Sequence, residues 1–463
     1  MAYATINPYT GKTIKTFPNA TDAEVSRALD QGDAAFRQWK TTSVADRVAV
    51  LQKAADLLRA KHTEYAKMLT LEMGKLLGEA EAEVELSAAI FEYYVENAEQ
   101  QLAPETLPSK DPAVIEAWLV NEPLGIILAI EPWNFPYYQI ARIIAPQLAA
   151  GNVVVLKHAS NVPQSADMFE KLMLEAGLPV GGFKNLYATR DQLETIINDP
   201  RVHGVALTGS EDAGAIVASQ AGKALKKSTM ELGGADAFVV LEDADVDKAA
   251  KWAVFGRHWN AGQVCCSSKR IIVVEAVYDA FMAKYQAGVA QLKAGDPLDP
   301  ATTLAPLSSQ GAADDVRKQV DQAVGHGATL TTIGANVPTQ GAFVQPVLLT
   351  DLTKDNPAYY WEFFGPVSLV FKAKDEAHAI EIANDSPFGL GGSVFTQDID
   401  RGRKVAAQIS TGMVYINHPT AVKADLPFGG VRRSGYGREL IGLGLKEFVN
   451  HKLIGVTDID GGF

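Results

Sequence analysis

Residues 126–136 read Ile126-Ile-Leu-Ala-Ile130-Glu-Pro-Trp133-Asn134-Phe-Pro136. Five consecutive apolar residues, followed by two prolines, predict a short strand covered on both faces that ends in a rigid turn. Outward from this point the pattern repeats. Val153-Val-Val-Leu156, Val205-Ala-Leu207, Phe238-Val-Val-Leu241 and Ile271-Ile-Val-Val274 are further apolar runs, separated by segments of helical character, and a second set runs from Val367 through Val394 to Ile416. Continuous rather than alternating apolarity points to largely parallel strands buried beneath helices, hence an α/β fold. Upstream, Thr21-Asp-Ala-Glu24 has the form of a capping box and opens a helical stretch that reaches about Gln101. Composition turns loop-like from Pro104 to Pro112, and Glu116–Asn121 reads as extended chain.

The chain has 463 residues, about three average domains' worth. At 47% hydrophobic and 21% charged it has the makeup of an ordinary globular protein. Its 42 Lys and Arg against 55 Asp and Glu give a net charge of −13, and the basic residues are scattered. A binder of nucleic acid needs a basic face, so none is expected as partner. No apolar run approaches the ~18–20 residues of a membrane span. The opening Met1-Ala-Tyr-Ala-Thr-Ile-Asn-Pro8 lacks the basic start and apolar stretch of a secretory leader. The two cysteines, Cys265 and Cys266, are adjacent and cannot staple a fold, which fits a reducing, cytoplasmic setting. The eight histidines show no metal-ligand spacing, and no metal site is expected.

Three stretches carry side chains suited to chemistry. Asn260-Ala-Gly-Gln-Val-Cys265-Cys266 puts a thiol just after a glycine-containing turn, where an exposed thiolate can act as nucleophile. Met230-Glu231-Leu-Gly-Gly234 places an acid beside two glycines at a strand edge, a position for a general base. Asn134, held between two prolines, offers a rigid amide donor to an oxyanion. Singly, each reads better as a small buried hydrophobe, a solvated carboxylate or a turn.

Together and in order they resemble the NAD(P)-dependent aldehyde dehydrogenases over nearly the whole chain. The ordered set is Pro-Trp-Asn134-Phe-Pro, Leu-Lys157-His-Ala-Ser160, Thr208-Gly-Ser210, Glu231-Leu-Gly-Gly, Gly-Gln-Val-Cys265, Glu362-Phe-Phe-Gly-Pro366, Pro427-Phe-Gly-Gly and Ser434-Gly-Tyr-Gly-Arg-Glu439. The resemblance implies Cys265 as nucleophile, Glu231 as the base that activates water, and Asn134 with the Cys265 backbone N–H as oxyanion donors. It places Trp133, Lys157, Ser160, Gly209, Ser210, Glu362 and Phe364 on the dinucleotide. No Gly-x-Gly-x-x-Gly follows a strand, so the usual dinucleotide fingerprint is absent. NAD-preferring relatives usually carry an acid three residues after the lysine. Here that position is Ser160, whose hydroxyl can donate to a 2′-phosphate, so NADP is expected as the preferred cofactor with NAD also usable.

Arg142 stands eight residues after Asn134, a little over two turns if the segment is helical, and its guanidinium would meet a carboxylate at the far end of a substrate. Succinate-semialdehyde dehydrogenases are similar here. Some of them have a second arginine where this chain has Trp259, and Arg257, His258 and Lys423 are the candidates to replace it. The common lysine after Gly-Gly is here Ala235. Oxidation of a small aldehyde acid such as succinate semialdehyde is therefore expected. A dehydrogenase of uncharged aldehydes, a CoA-acylating relative and a non-catalytic descendant are the alternatives.

By resemblance, residues 1–107 and 122–233 would form a Rossmann-type nucleotide-binding domain and 234–448 an α/β catalytic domain. Residues 108–121 and 449–463 would form a small β oligomerisation element. Two apolar-rich extended stretches in that element would be sticky edges unless paired, so a homodimer or homotetramer is expected.

Overall fold

The computed structural model describes residues 3–461 and contains two main sheets. The first has six strands in the order Gly435–Tyr436, Lys227–Glu231, Val202–Thr208, Ile126–Glu131, Val153–His158, Phe183–Asn185. All neighbours are parallel except the first pair, which is antiparallel. The second has seven, ordered Thr329–Thr332, Val347–Thr350, Val367–Ala373, Arg270–Val274, Ala237–Val240, Gly392–Phe395, Tyr415–Ile416, with only the Thr329–Thr332 edge antiparallel.

The continuous apolar runs have their explanation in the burial. Phe238 and Val240 pack into one layer with Ile271 and Val273, while Val239 and Leu241 pack into the opposite layer with Ile272 and Val274. Successive strand residues face opposite sides, so both sets must be apolar. The helical N-terminal stretch is broken at Lys40–Ser43, Lys61 and Gly74 and covers the first sheet. Its opening capping box forms as expected, with the Thr21 N–H donating to Glu24 Oε2 at 2.8 Å.

Two domain expectations need correction. The segment 428–448 does not stay with the second sheet: Phe428, Leu440, Leu445 and Phe448 lie in the core beneath the first sheet, and Gly435–Tyr436 supplies that sheet's edge. The pairing covers the outer edge of Lys227–Glu231, which would otherwise be exposed. The small element is also wider than 108–121. Val114–Pro123 pairs antiparallel with Val449–Thr457 along its length, and Glu105–Thr106 adds a third strand. Ile115 and Leu453 on this ribbon are 62% and 63% exposed.

Candidate active site

Parallel sheets collect loops at the carboxyl ends of their strands, where ligands bind. Glu131, His158, Thr208 and Glu231 are the last residues of four adjacent strands of the first sheet. Trp133, Asn134, Ser160, Gly209 and Ser210 follow within three residues of those ends. From the second sheet come the segments that precede strands: 232–236 before Ala237, 262–269 before Arg270, and 362–366 before Val367. The site lies where the two sets of loops meet.

Asn134 is buried and precedes the helix Pro136–Ala150 rather than belonging to it. Pro136 occupies the first helical turn, where its missing N–H costs nothing. His158 fastens this turn. Its Nδ1 accepts from the Ala159 N–H at 2.9 Å, which leaves the Nε2 proton for the Pro136 carbonyl at 3.1 Å. Burial pulls its pKa down to about 4, so the ring is neutral.

The nucleophile loop is wound tightly. Asn260, Ala261 and Gly262 all have positive φ, at 50°, 54° and 77°, a costly run for two residues that carry side chains. It is held from outside: the Asn260 N–H donates to Glu79 Oε1 at 2.9 Å, and Asn260 Nδ2 donates to the Asn134 carbonyl at 3.0 Å. Asn134 Nδ2 in turn donates one of its two protons to the Gln263 carbonyl at 3.0 Å. The Cys265 N–H meets no protein acceptor among the described residues. Cys265 is half-buried and Cys266 buried. A hydrogen bond from the Cys266 thiol lowers the Cys265 pKa, helped by the charges of Lys269 and Arg142 and opposed by burial. The Cys266 thiol is pushed well up by the same contact.

Glu231 is 2% exposed, and neither carboxylate oxygen has a hydrogen-bond partner among the described residues. Burial, then the nearby Glu439, hold its pKa well above the usual carboxylate range, and Arg142 opposes them. Sequence reasoning missed two members of this cluster. Glu131, buried and unpartnered on both oxygens, is likewise held up by burial. Lys269 lies fully buried behind Cys265. Its only sequence signal is a basic pair, Lys269-Arg270, directly before a strand that is buried throughout.

The two glycines after Glu231 are required by close approach. A Cβ on Gly233 would lie 2.1 Å from Glu362 Oε2, and one on Gly234 would lie 2.7 Å from the Cys265 carbonyl. Glu362 Oε1 accepts from the Gly234 N–H at 3.0 Å. Phe364 meets Trp133 edge to face with ring centroids 5.7 Å apart. Ser210 caps the helix Glu211–Lys223, and its oxygen accepts from the Ala213 N–H, so the hydroxyl proton stays available. Lys157 is half-buried with its Nζ 5.7 Å from the Tyr3 ring centroid and has no ion-pair partner among the described residues. Burial and the Arg190 charge pull its pKa to about 8, an environment that an added anion would relieve.

Arg142 is not the open fork expected. It is 2% exposed, ion-paired to Glu439 through Nε, and donates to Thr208 Oγ1 at 2.7 Å and the Tyr138 hydroxyl at 3.1 Å. Three of its five N–H groups are thus engaged and two remain. Arg257 and His258 do not compensate for Trp259. Arg257 is fully buried, donating to the carbonyls of Val367 and Phe363 and to Ser267 Oγ, and His258 bonds the Val254 carbonyl in its own helix. Trp259 itself packs between Phe135 and Phe255, with centroids 5.1 and 5.9 Å away. Lys423 is an exposed loop lysine without a side-chain partner among the described residues.

Residues 1–454 match the family model described as the aldehyde dehydrogenase family. The chain is 48% identical to succinate-semialdehyde dehydrogenase [NADP(+)] of Deinococcus radiodurans, over 98% of this chain and 94% of that one. It is 45% identical to the protein of the same name from Mycolicibacterium paratuberculosis, over 100% and 98%. Its structure superposes with a TM-score of 0.96 on succinic semialdehyde dehydrogenase from Streptococcus pyogenes in complex with NADP+, at 47% identity over 99% of this chain and 100% of that one. On these matches, and with Cys265, Glu231 and Asn134 gathered between its two sheets, the chain belongs to the aldehyde dehydrogenase family.

Proposed function

We propose that the protein oxidises succinate semialdehyde to succinate, with NADP+ preferred over NAD+. The observation that carries the chemistry is Glu231: a buried carboxyl without partners, close enough to Cys265 for the thiolate to raise its pKa. Such a group is poised to take a proton from water.

In this reading the Cys265 thiolate attacks the aldehyde carbon. The resulting oxyanion is met by the second amide proton of Asn134 and by the Cys265 N–H, both free of protein acceptors. NADP+, when bound, supplies the hydride acceptor. Glu231 then deprotonates a water that hydrolyses the thioester on Cys265 and releases the acid. Lys157 and Ser160 would hold the 2′-phosphate, Gly209 and Ser210 the pyrophosphate, and Trp133, Glu362 and Phe364 the nicotinamide end. The unpartnered, partly desolvated Lys157 supports the preference for the phosphorylated cofactor.

For the substrate, the names of the relatives support a carboxylate at the far end, although Arg142 is already engaged by Glu439, Thr208 and Tyr138. The comparison of succinate semialdehyde with butanal tests this. The acid should win by at least about tenfold in kcat/KM, the effect of one good charge contact. Equal rates would make the substrate assignment wrong. The exposed apolar residues of the three-stranded ribbon support self-association through that sheet. The two unpaired thiols support a cytoplasmic location.

A further inference from the structure

Lys269 is fully buried, yet it carries a charge that an apolar side chain of similar volume would avoid burying. Its Nζ lies 2.6 Å from the Val264 carbonyl, 2.7 Å from the Cys265 carbonyl and 3.0 Å from Glu362 Oε1. These three acceptors use all three ammonium protons. Two of them belong to the nucleophile loop, one being the nucleophile's own carbonyl. The third belongs to the carboxylate assigned above to the nicotinamide end of the cofactor. The Phe364 ring centroid is 5.5 Å from the same Nζ. One cation therefore joins two segments that must keep register during reaction, 262–269 and 362–366.

We infer that Lys269 is a positioning residue that couples the nucleophile loop to the cofactor-gripping carboxylate, so that Cys265 and Glu362 share one charge. The inference rests on Cys265 as nucleophile and Glu362 as a cofactor ligand, and it is independent of which aldehyde is oxidised. Six groups bear on the Cys265 thiol: the Cys266 thiol, Lys269 and Arg142 on the acidifying side, Glu362 and Glu231 opposing them, and the Tyr138 phenol. Of these six, only Lys269 is bonded to both Cys265 and Glu362. Removing its charge must raise the thiol's pKa and also loosen Glu362. Removing the Glu362 charge must lower the thiol's pKa, because the ammonium then acts on Cys265 undivided.

The test uses the full chain without cofactor, as Lys269→Met and Glu362→Gln. Alkylation by iodoacetamide is followed against pH, the label is mapped by mass spectrometry, and NADP+ affinity is measured by calorimetry. In Lys269→Met the alkylation midpoint should rise by about one pH unit and NADP+ should bind about tenfold more weakly. In Glu362→Gln the midpoint should fall. Midpoints that stay put, or that move the same way in both variants, would show that Lys269 merely fills space and would overturn the inference. Should Lys269→Met not fold, Lys269→Gln, which keeps two N–H donors but not the charge, is read in its place: a raised midpoint supports the inference and an unmoved one overturns it. A label found on Cys266 instead would overturn the nucleophile assignment itself.

Discussion

The side-chain amide of Asn134 donates to the carbonyl of Gln263 at 3.0 Å, tying the turn after one sheet to the loop two residues before the nucleophile of the other. The amide thus has one proton fixed on the loop and one left for the oxyanion. Asn134→Ala is expected to cut kcat by about 10²–10³, the usual cost of one lost oxyanion donor, while NADP+ affinity stays near its starting value. Steady-state kinetics with a separate binding titration check this. Near-normal turnover would remove Asn134 from the oxyanion hole.

Glu231 works only when ionised, and its surroundings hold its pKa well above the usual carboxylate range. The hydrolytic step should therefore gain rate as pH rises and lose it as pH falls toward that raised value. Glu231→Gln should leave acylation and hydride transfer working but stall hydrolysis. Rapid-mixing kinetics should then show a single-turnover burst of reduced cofactor followed by a steady rate lower by about 10²–10⁴. A variant that turns over without a burst would place the base elsewhere.

Two buried histidines weaken the fold as pH falls. Burial lowers the pKa of His158 to about 4 and that of His258 to about 3, below the ~6.5 of an unfolded chain. Between those values the unfolded state binds more protons, so stability falls as pH falls. Each contributes about 2 kcal/mol of destabilisation between pH 7 and pH 5. Buried carboxyls such as Asp236, raised to about 6, act in the opposite sense over the same range, so the check is the difference between wild-type and His158→Gln melts, in which the variant should lose less stability as pH falls.

A methyl group on Gly233 would collide with Glu362 Oε2. Gly233→Ala should displace that carboxylate, raising the KM for NADP+ by about tenfold. Cys265 alkylation at high pH, where the thiol is fully ionised, should persist and show that the fold is retained. Unchanged cofactor kinetics would mean that Glu362 does not grip the dinucleotide.

Replacing the Ser160 hydroxyl by a carboxylate sets a negative charge three residues beyond Lys157, where a 2′-phosphate would be repelled. Ser160→Glu should lower kcat/KM with NADP+ by at least about tenfold and leave NAD+ much less affected. Titrating both cofactors against the variant checks it, and a parallel loss for the two would place the 2′-phosphate elsewhere.

Strands such as Ile126–Glu131 and Ala237–Val240 are legible in the sequence because helices cover both faces and every position except the closing Glu131 is apolar. Cys265, Glu231 and Asn134 are legible as chemistry because each sits beside glycine or proline in a short motif. What stays hidden depends on distant partners. The return of Gly435–Tyr436 to the strand ending at Glu231 leaves no local periodicity, since two residues are too few to show any. Arg142 looks like a free recognition group because Glu439, Thr208 and Tyr138 reach it from three separate parts of the chain or a helical turn away. Lys269 looks like an ordinary charge beside a strand until Glu362 is brought against it.

The pairing of Gly435 with Glu231 has a consequence for how the protein comes into being. During synthesis the ribosome releases Glu231 long before Gly435, and the nucleophile at Cys265 also emerges early. Until that segment arrives, Glu231 lacks both the strand that pairs with it and Glu439, the charge that helps raise its pKa. A half-made chain therefore carries a thiol but no tuned base, and the hydrolytic step awaits the polypeptide's late segment.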